Sequence, residues 1–262
     1  PYDGPETDDT VTAGVVGTRI YFVGQEDESL RLFCWETVTD TPCPQTWELF
    51  AGDTGKKFRG GATIAFDGKV YSVTDNHRMH CVDPETGTWC AGYPAGGRAT
   101  DLAGSTTPLT EDEAVGNYDT IIDPVSGRLY YVMKVDDVGT WLDCWDTTNA
   151  SACTGFTPRL FSPESDKKDG RLFFHRTTTG VIDGVCATMK RGDDSLICST
   201  MSGADAPGFV VQMAALDPYL SGDGTHVYHR PTNRVFIQAD DYNLCWDFTS
   251  ISYCGRVRTW SG

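Results

Sequence analysis

The sequence predicts an all-β fold made of five similar antiparallel units, and three observations predict it. Twenty-eight glycines and thirteen prolines among 262 residues, with few long runs of helix formers, suit many short strands joined by turns. Ten cysteines fall into five close pairs: Cys34 and Cys43, Cys81 and Cys90, Cys144 and Cys153, Cys186 and Cys198, Cys245 and Cys254. A turn residue and a basic residue introduce an apolar, aromatic strand ahead of each pair.

Those strands are Ile20-Tyr21-Phe22 after Gly17-Thr18-Arg19, Val70-Tyr71 after Gly68-Lys69, Leu129-Tyr130-Tyr131 after Gly127-Arg128, Leu172-Phe173-Phe174 after Gly170-Arg171, and Val235-Phe236 after Asn233-Arg234. The first cysteine of a pair then follows, usually with Trp or Val and an acid behind it: Cys34-Trp35-Glu36, Cys81-Val82-Asp83, Cys144-Trp145-Asp146 and Cys245-Trp246-Asp247. The fourth copy, Cys186-Ala187-Thr188, departs from the pattern. Short alternating strands lie upstream, as in Ala62 to Phe66, Asp119 to Ile122 and His226 to His229. The turns after them, Asp67-Gly68, Asp123 to Gly127 and Pro231-Thr232-Asn233, are made of residues that supply positive φ or a pre-set bend. One unit therefore reads strand A, tight turn, strand B, loop, strand C with the first cysteine, loop, strand D with the second. Five units in 262 residues give about 52 residues each, the size of a four-stranded propeller blade.

Four cysteine pairs are nine positions apart and the fifth is twelve apart, which matches no common zinc-ligand step. An even count at a regular recurrence reads as a disulfide framework from an oxidising compartment, most simply with each close pair joined to itself. Nine positions let two neighbouring antiparallel strands face each other across a loop, and closing so short a loop stabilises by about 2–3 kcal/mol. Other pairings fit the sequence too, and free buried cysteines are the rival reading.

The chain resembles secreted five-bladed β-propellers from about Val11 to Trp260, on repeat architecture rather than on a diagnostic motif. Trp145-Asp146 and Trp246-Asp247 look like the Trp-Asp repeat signature but follow a cysteine and lack its Gly-His partner. The resemblance implies an all-β, five-bladed β-propeller of four-stranded antiparallel blades, each stapled by a disulfide. Residues 11–262 would form one domain after an acidic leader, 1–10, with 95–116 and 202–224 as inserted loops rather than a sixth blade. It also implies a lectin-like or adhesive role outside the cell.

Charge narrows the partners. With 21 basic against 37 acidic residues the net charge is −16, which repels nucleic acid and anionic membrane surfaces. The longest apolar stretch, Gly208 to Leu216, is far short of the roughly 20 residues that span a bilayer. A glycan or an extracellular protein is the expected partner.

In strand geometry Trp35, Trp145 and Trp246 point away from the adjacent cysteine, into the gap between blades, with an aromatic sugar platform as the alternative. Glu36, Asp83, Asp146 and Asp247 stand where a carboxylate caps the following turn. The B–C loops of an upper face then read Gln25 to Glu28, Asp75-Asn76-His77-Arg78, Val135-Asp136-Asp137, Arg176 to Thr179, and Ala239-Asp240-Asp241-Tyr242-Asn243. Converging carboxylates suit a cation, an amino group or sugar hydroxyls, so Asp75, Asn76, His77, Asp136, Asp137, Asp240, Asp241, Tyr242 and Asn243 are the candidate ligand-binding set. Calcium suits such oxygens, but the calcium-loop motif is missing and no cofactor is expected. Asn149-Ala150-Ser151 is a glycosylation sequon, and Arg191-Gly192-Asp193 sits in the enlarged fourth loop, expected between strands C and D.

Motifs for nucleophilic serine, zinc-protease, phosphate-binding or dinucleotide chemistry do not occur. The enzymatic alternative is a glycoside hydrolase, which needs only two carboxylates about 5–10 Å apart; Asp119 with Asp75 or Asp136 is the candidate pair. A structural unit of a larger secreted assembly is the third reading.

Overall fold

A computed structural model describes residues 13–26, 29–51, 61–74, 77–100, 119–135, 139–162, 170–177, 179–189, 195–212, 226–238 and 242–258. They form five antiparallel sheets, the blades. Blade 1 holds β1 (Gly14–Val16), β2 (Arg19–Glu26), β3 (Ser29–Glu36) and an outer strand in two pieces, β4 (Thr41–Pro42) and β5 (Trp47–Ala51). Blade 2 holds β6 (Gly61–Phe66), β7 (Lys69–Thr74), β8 (Arg78–Asp83), β9 (Thr88–Trp89) and β10 (Arg98–Ala99). Blade 3 repeats that plan with β11 (Thr120–Ile122), β12 (Arg128–Val135), β13 (Gly139–Asp146), β14 (Ser151–Ala152) and β15 (Arg159–Ser162). Blade 4 is β16 (Gly170–Arg176), β17 (Ile182–Met189), β18 (Ser195–Thr200) and β19 (Asp205–Gln212). Blade 5 is β20 (His226–His229), β21 (Arg234–Gln238), β22 (Tyr242–Asp247) and β23 (Ser252–Arg258).

All five close cysteine pairs are disulfides, and no described cysteine is free. An aromatic ring stands opposite the first cysteine in every blade: Tyr21, Tyr71, Tyr130, Phe173 and Phe236 face Cys34, Cys81, Cys144, Cys186 and Cys245. The basic residue that opens strand B faces the acid that closes strand C, with Arg19 Nε 3.2 Å from Glu36 and Arg234 Nε 2.8 Å from Asp247. The same acids cap the next turn, as expected. Asp83, Asp146 and Asp247 each accept two backbone N–H groups, from Glu85 and Thr86, Thr148 and Asn149, and Thr249 and Ser250.

Blade 4 corrects the reading of the repeat. Its Gly-Arg-Leu-Phe-Phe strand, β16, is the innermost strand and not the second, because it lies against β11 and β12 of blade 3. The disulfide therefore joins the second and third strands, with Cys186 directly opposite Cys198, and the fourth strand is β19. The stretch read as an inserted loop thus supplies an outer strand, and part of the other, Arg98–Ala99, edges blade 2. Moving the unit inward by one strand also turns its connections over. The β16–β17 turn belongs to the lower face, with the A–B and C–D turns, and not to the upper face.

Four apolar seams join consecutive blades. Tyr21 and Leu32 of blade 1 pack on Val70 and Val82 of blade 2, and Tyr71 and Met79 on Leu129 and Trp145 of blade 3. Tyr130 and Leu142 pack on Leu172 and Val185 of blade 4, and Phe173 and Leu196 on Val235 and Trp246 of blade 5. Trp145 and Trp246 fill these seams as the alternation predicts. Close approach selects glycine at two points: a Cβ at Gly14 would sit 3.0 Å from the Ala65 amide nitrogen, and one at Gly203 would collide with the Thr157 carbonyl.

Among the described residues no apolar cluster joins blade 5 to blade 1. The inner-strand residues that face this gap are open to solvent, Val15 at 60% and Val227 at 65%. Ile20, Trp35 and Phe236 are half-buried where their counterparts in the seams are buried.

Candidate functional site

The residues expected to bind a ligand lie mostly outside the described ones: Asp75, Asn76, Asp136, Asp137, Asp240 and Asp241. His77 is buried in the β7–β8 turn at φ 59°, its N–H donating to the Thr74 carbonyl and its carbonyl accepting from Thr100. Tyr242 and Asn243 open β22, where Asn243 is half-buried and pairs with Gln238. The loop with Arg191-Gly192-Asp193, which here joins β17 to β18, is likewise outside the described residues. Asn149 is exposed in the third C–D turn as expected, its amide donating to Asp146.

Asp119 precedes β11 at the upper end of the inner strands. One carboxylate oxygen accepts the Thr120 N–H at 2.9 Å, and the other accepts the Leu172 N–H of blade 4 at 2.7 Å. Burial raises its pKa against these two bonds. The geometry is that of a clamp between two blades. Among the described residues no three His, Cys, Asp or Glu side chains are grouped to hold a metal ion.

A groove of about 570 Å³ opens instead on the lower face, between blades 4 and 5. Arg176, Thr177 and Gly180 of the β16–β17 turn form one wall, Pro231, Thr232 and Asn233 of the β20–β21 turn form the other, and Thr249 closes the end. That a blade 4 turn and the A–B and C–D turns of blade 5 line one groove is a second sign that blade 4 is shifted. The walls are braced. Arg176 Nη1 donates to the Gly180 carbonyl at 2.9 Å, and the Gly180 and Val181 amides donate to Thr177. Asn233, at φ 53°, accepts the Tyr228 hydroxyl and donates to the Thr249 hydroxyl, and Thr232 shares a hydrogen bond with His229. Beside Arg176, His175 Nδ1 is 2.6 Å from Asp183 and its ring packs on Phe248, fixing the strand beneath the groove.

The lining offers hydroxyls, an amide and a guanidinium with four N–H groups beyond the one that holds the turn. Among the described residues that line it there is no carboxylate. The sequence alone places Arg176 to Thr179 on the opposite face, as the B–C loop of an unshifted fourth unit. The signals against that were the longer cysteine spacing of the fourth pair and its missing Trp-acid step.

Solved structures share this architecture. The chain matches the Dos1 propeller with a TM-score of 0.56 at 12% identity, over 93% of its own length and 58% of that chain. It matches the crystal structure of the computationally designed Ika8 protein with a TM-score of 0.53 at 11% identity, over 94% of its own length and 61% of that chain. The chain folds as a β-propeller. It spans about three fifths of the length of these two propellers. No family model matches the propeller's sequence, and no curated protein does either. Five disulfides fit an oxidising compartment.

Proposed function

We propose that this propeller is a secreted, disulfide-stapled binding module for hydroxyl-rich ligands of the carbohydrate class, with the lower-face groove between blades 4 and 5 as its site. One observation carries the reading: a braced concavity lined by three threonine hydroxyls, the Asn233 amide and the Arg176 guanidinium, with Pro231 as an apolar part of one wall. Such a lining can donate to and accept from vicinal hydroxyls, and Arg176 adds recognition of an acidic substituent. Fixed walls lower the ordering cost of binding. Glycosidic hydrolysis calls for a pair of carboxylates across the sugar, and among the described residues neither wall supplies one. Asp119, the acid such an enzyme would use, has both oxygens engaged by backbone amides.

A glycan array with the purified protein, run beside hydrolysis assays on the same glycans, tests this. Arg176→Ala and Asn233→Ala should each weaken binding about tenfold, the worth of one charge-assisted or well-placed hydrogen bond. The double changes Asp136→Asn with Asp137→Asn, and Asp240→Asn with Asp241→Asn, should leave it unchanged. The reverse outcome would move the site to the acidic upper loops. Turnover abolished by Asp119→Asn would replace the binding reading with an enzymatic one.

A further inference from the structure

The C–D turns of blades 1, 2, 3 and 5 share one plan. In blades 2, 3 and 5 the capping acid accepts the backbone N–H of the residue three positions on, Thr86, Asn149 or Ser250. That cap asks nothing of the side chain at this position. In three blades the side chain is a hydroxyl that bonds the hydroxyl two residues later: Thr39 with Thr41 at 2.8 Å, Thr86 with Thr88 at 2.8 Å, and Ser250 with Ser252 at 2.6 Å. Blade 3 keeps the second hydroxyl, on Ser151, and has Asn149 in place of the first. The pairs in the other blades put these two positions on one side of the turn. Asn149 is exposed, as is Thr148 before it, and its Nδ2 donates to Asp146 Oδ2 at 2.7 Å. Of the five asparagines in the chain it alone has a Ser or Thr two residues on.

We propose that Asn149 is an N-glycan acceptor, so that the chain carries an oligosaccharide on the lower-face rim of blade 3. Two observations beyond the three-residue motif carry this. The turn is built without asparagine in blades 1, 2 and 5, so folding does not require one in blade 3. The folded turn also leaves the acceptor side chain open to solvent, where a bulky sugar is accommodated. Five disulfides fit the oxidising compartment through which such chains pass. The donor is a lipid diphosphate-linked oligosaccharide. The bond from C1 of its first sugar to the diphosphate oxygen breaks, and the diphosphate leaves with the electron pair. Asn149 Nδ2 forms the new bond to C1 and gives up one proton to a base of the transferase. The nitrogen keeps one N–H, enough to donate to Asp146 in the folded turn. The proposal rests on the oxidising-compartment reading and is independent of what the groove binds.

Intact mass and peptide mapping test it, on the full chain sent behind a signal peptide through the secretory pathway of a eukaryotic cell. The wild type should carry a discrete sugar increment that peptide N-glycosidase removes, leaving an aspartate that maps to position 149. Asn149→Thr rebuilds the threonine pair of blades 1 and 2, so the turn should fold while the whole increment is lost. Ser151→Ala keeps the asparagine, removes only the hydroxyl that the transferase reads, and should lose the increment too. Ser151→Thr keeps that hydroxyl and should retain the sugar. Mass is read on the cell-retained and the exported pools alike, so a variant that folds slowly still reports. A wild type without the increment in both pools overturns the proposal. An increment that survives Asn149→Thr or Ser151→Ala overturns it equally.

Discussion

Trp145 and Trp35 occupy the same place in the repeat, directly after the first cysteine of a blade, yet only one is enclosed. Trp145 is 1% exposed in the seam between blades 2 and 3, its indole N–H donating to the Tyr93 hydroxyl at 2.7 Å. Trp35 faces the gap, half-buried, its indole N–H donating to Asp40. A blade does not bury its own large side chains; the preceding blade does. The largest expected effect follows from this. Trp145→Ala should cost about 3–5 kcal/mol, the usual range for emptying an enclosed aromatic site. Trp35→Ala should cost about 1 kcal/mol, because little is enclosed there to begin with. Chemical denaturation of the two variants checks the contrast, and equal losses would mean that blade 5 covers blade 1 in solution.

A seam also changes the chemistry of what it encloses. His80, on β8, is buried among its neighbours, with Trp89 at 6.1 Å between ring centres and Thr74 Oγ1 at 3.2 Å from Nε2. Burial, helped by the Arg78 charge, pulls its pKa down to about 3. The imidazole is thus neutral in the folded chain, while in the unfolded chain it takes up a proton below about 6.5. Between those values the unfolded state binds more protons. Stability from this group is therefore complete above about pH 6.5 and drains away as pH falls toward 3, a loss of a few kcal/mol. His80→Gln should flatten that slope while costing stability at neutral pH. Denaturant midpoints between pH 4 and 7 measure it, and an unchanged slope would place the acid sensitivity elsewhere.

How much of this was legible in the residues follows the same contrast. Cysteine spacing and the basic-apolar-aromatic strands revealed the number of blades, the disulfide pairs and the orientation of Trp145 and Trp246, because these repeat within one unit. The shift of blade 4 left only an indirect trace, the wider spacing of Cys186 and Cys198 and the missing Trp-acid step, which mark the unit as different without saying how. Phe173 faces Cys186 in the register its counterparts use, so the pairing itself does not distinguish a second strand from an innermost one. Strand position is set by which neighbour covers β16, a contact between units. The groove was missed for that reason, since Arg176 and Asn233 come onto one face only once the unit moves inward.

Asp119 ties two blades at the point where that shift occurs, so it sharpens the comparison between regular and shifted units. Asp119→Ala leaves the buried Leu172 N–H without its acceptor and should cost about 1–3 kcal/mol. The pH response has the opposite sign to that of His80. A carboxyl whose pKa is raised in the folded state holds its proton more tightly there, so its contribution is complete below the unfolded value near 4 and is lost as pH rises through the folded one. The variant should therefore show less gain in stability on acidification than the parent. Thermal midpoints in mildly acidic buffers detect the difference.

The smallest effect is expected to be favourable. Asp40, Gly87, Ala150 and Ile251 hold one position in the C–D turns of blades 1, 2, 3 and 5, all with φ between 50° and 70°. In blade 2 the neighbouring blade reaches over this position, with Gln45 and Trp47 both donating to the Gly87 carbonyl. In blade 3 Ala150 is buried in the seam. Ile251 is 47% exposed, and a β-branched residue in the left-handed region carries a penalty of about 1–2 kcal/mol. Ile251→Asn relieves it with a residue that tolerates this conformation and should raise stability by about 1 kcal/mol, read as a higher thermal midpoint. A lower midpoint would mean that Ile251 contributes apolar contact worth more than its strain.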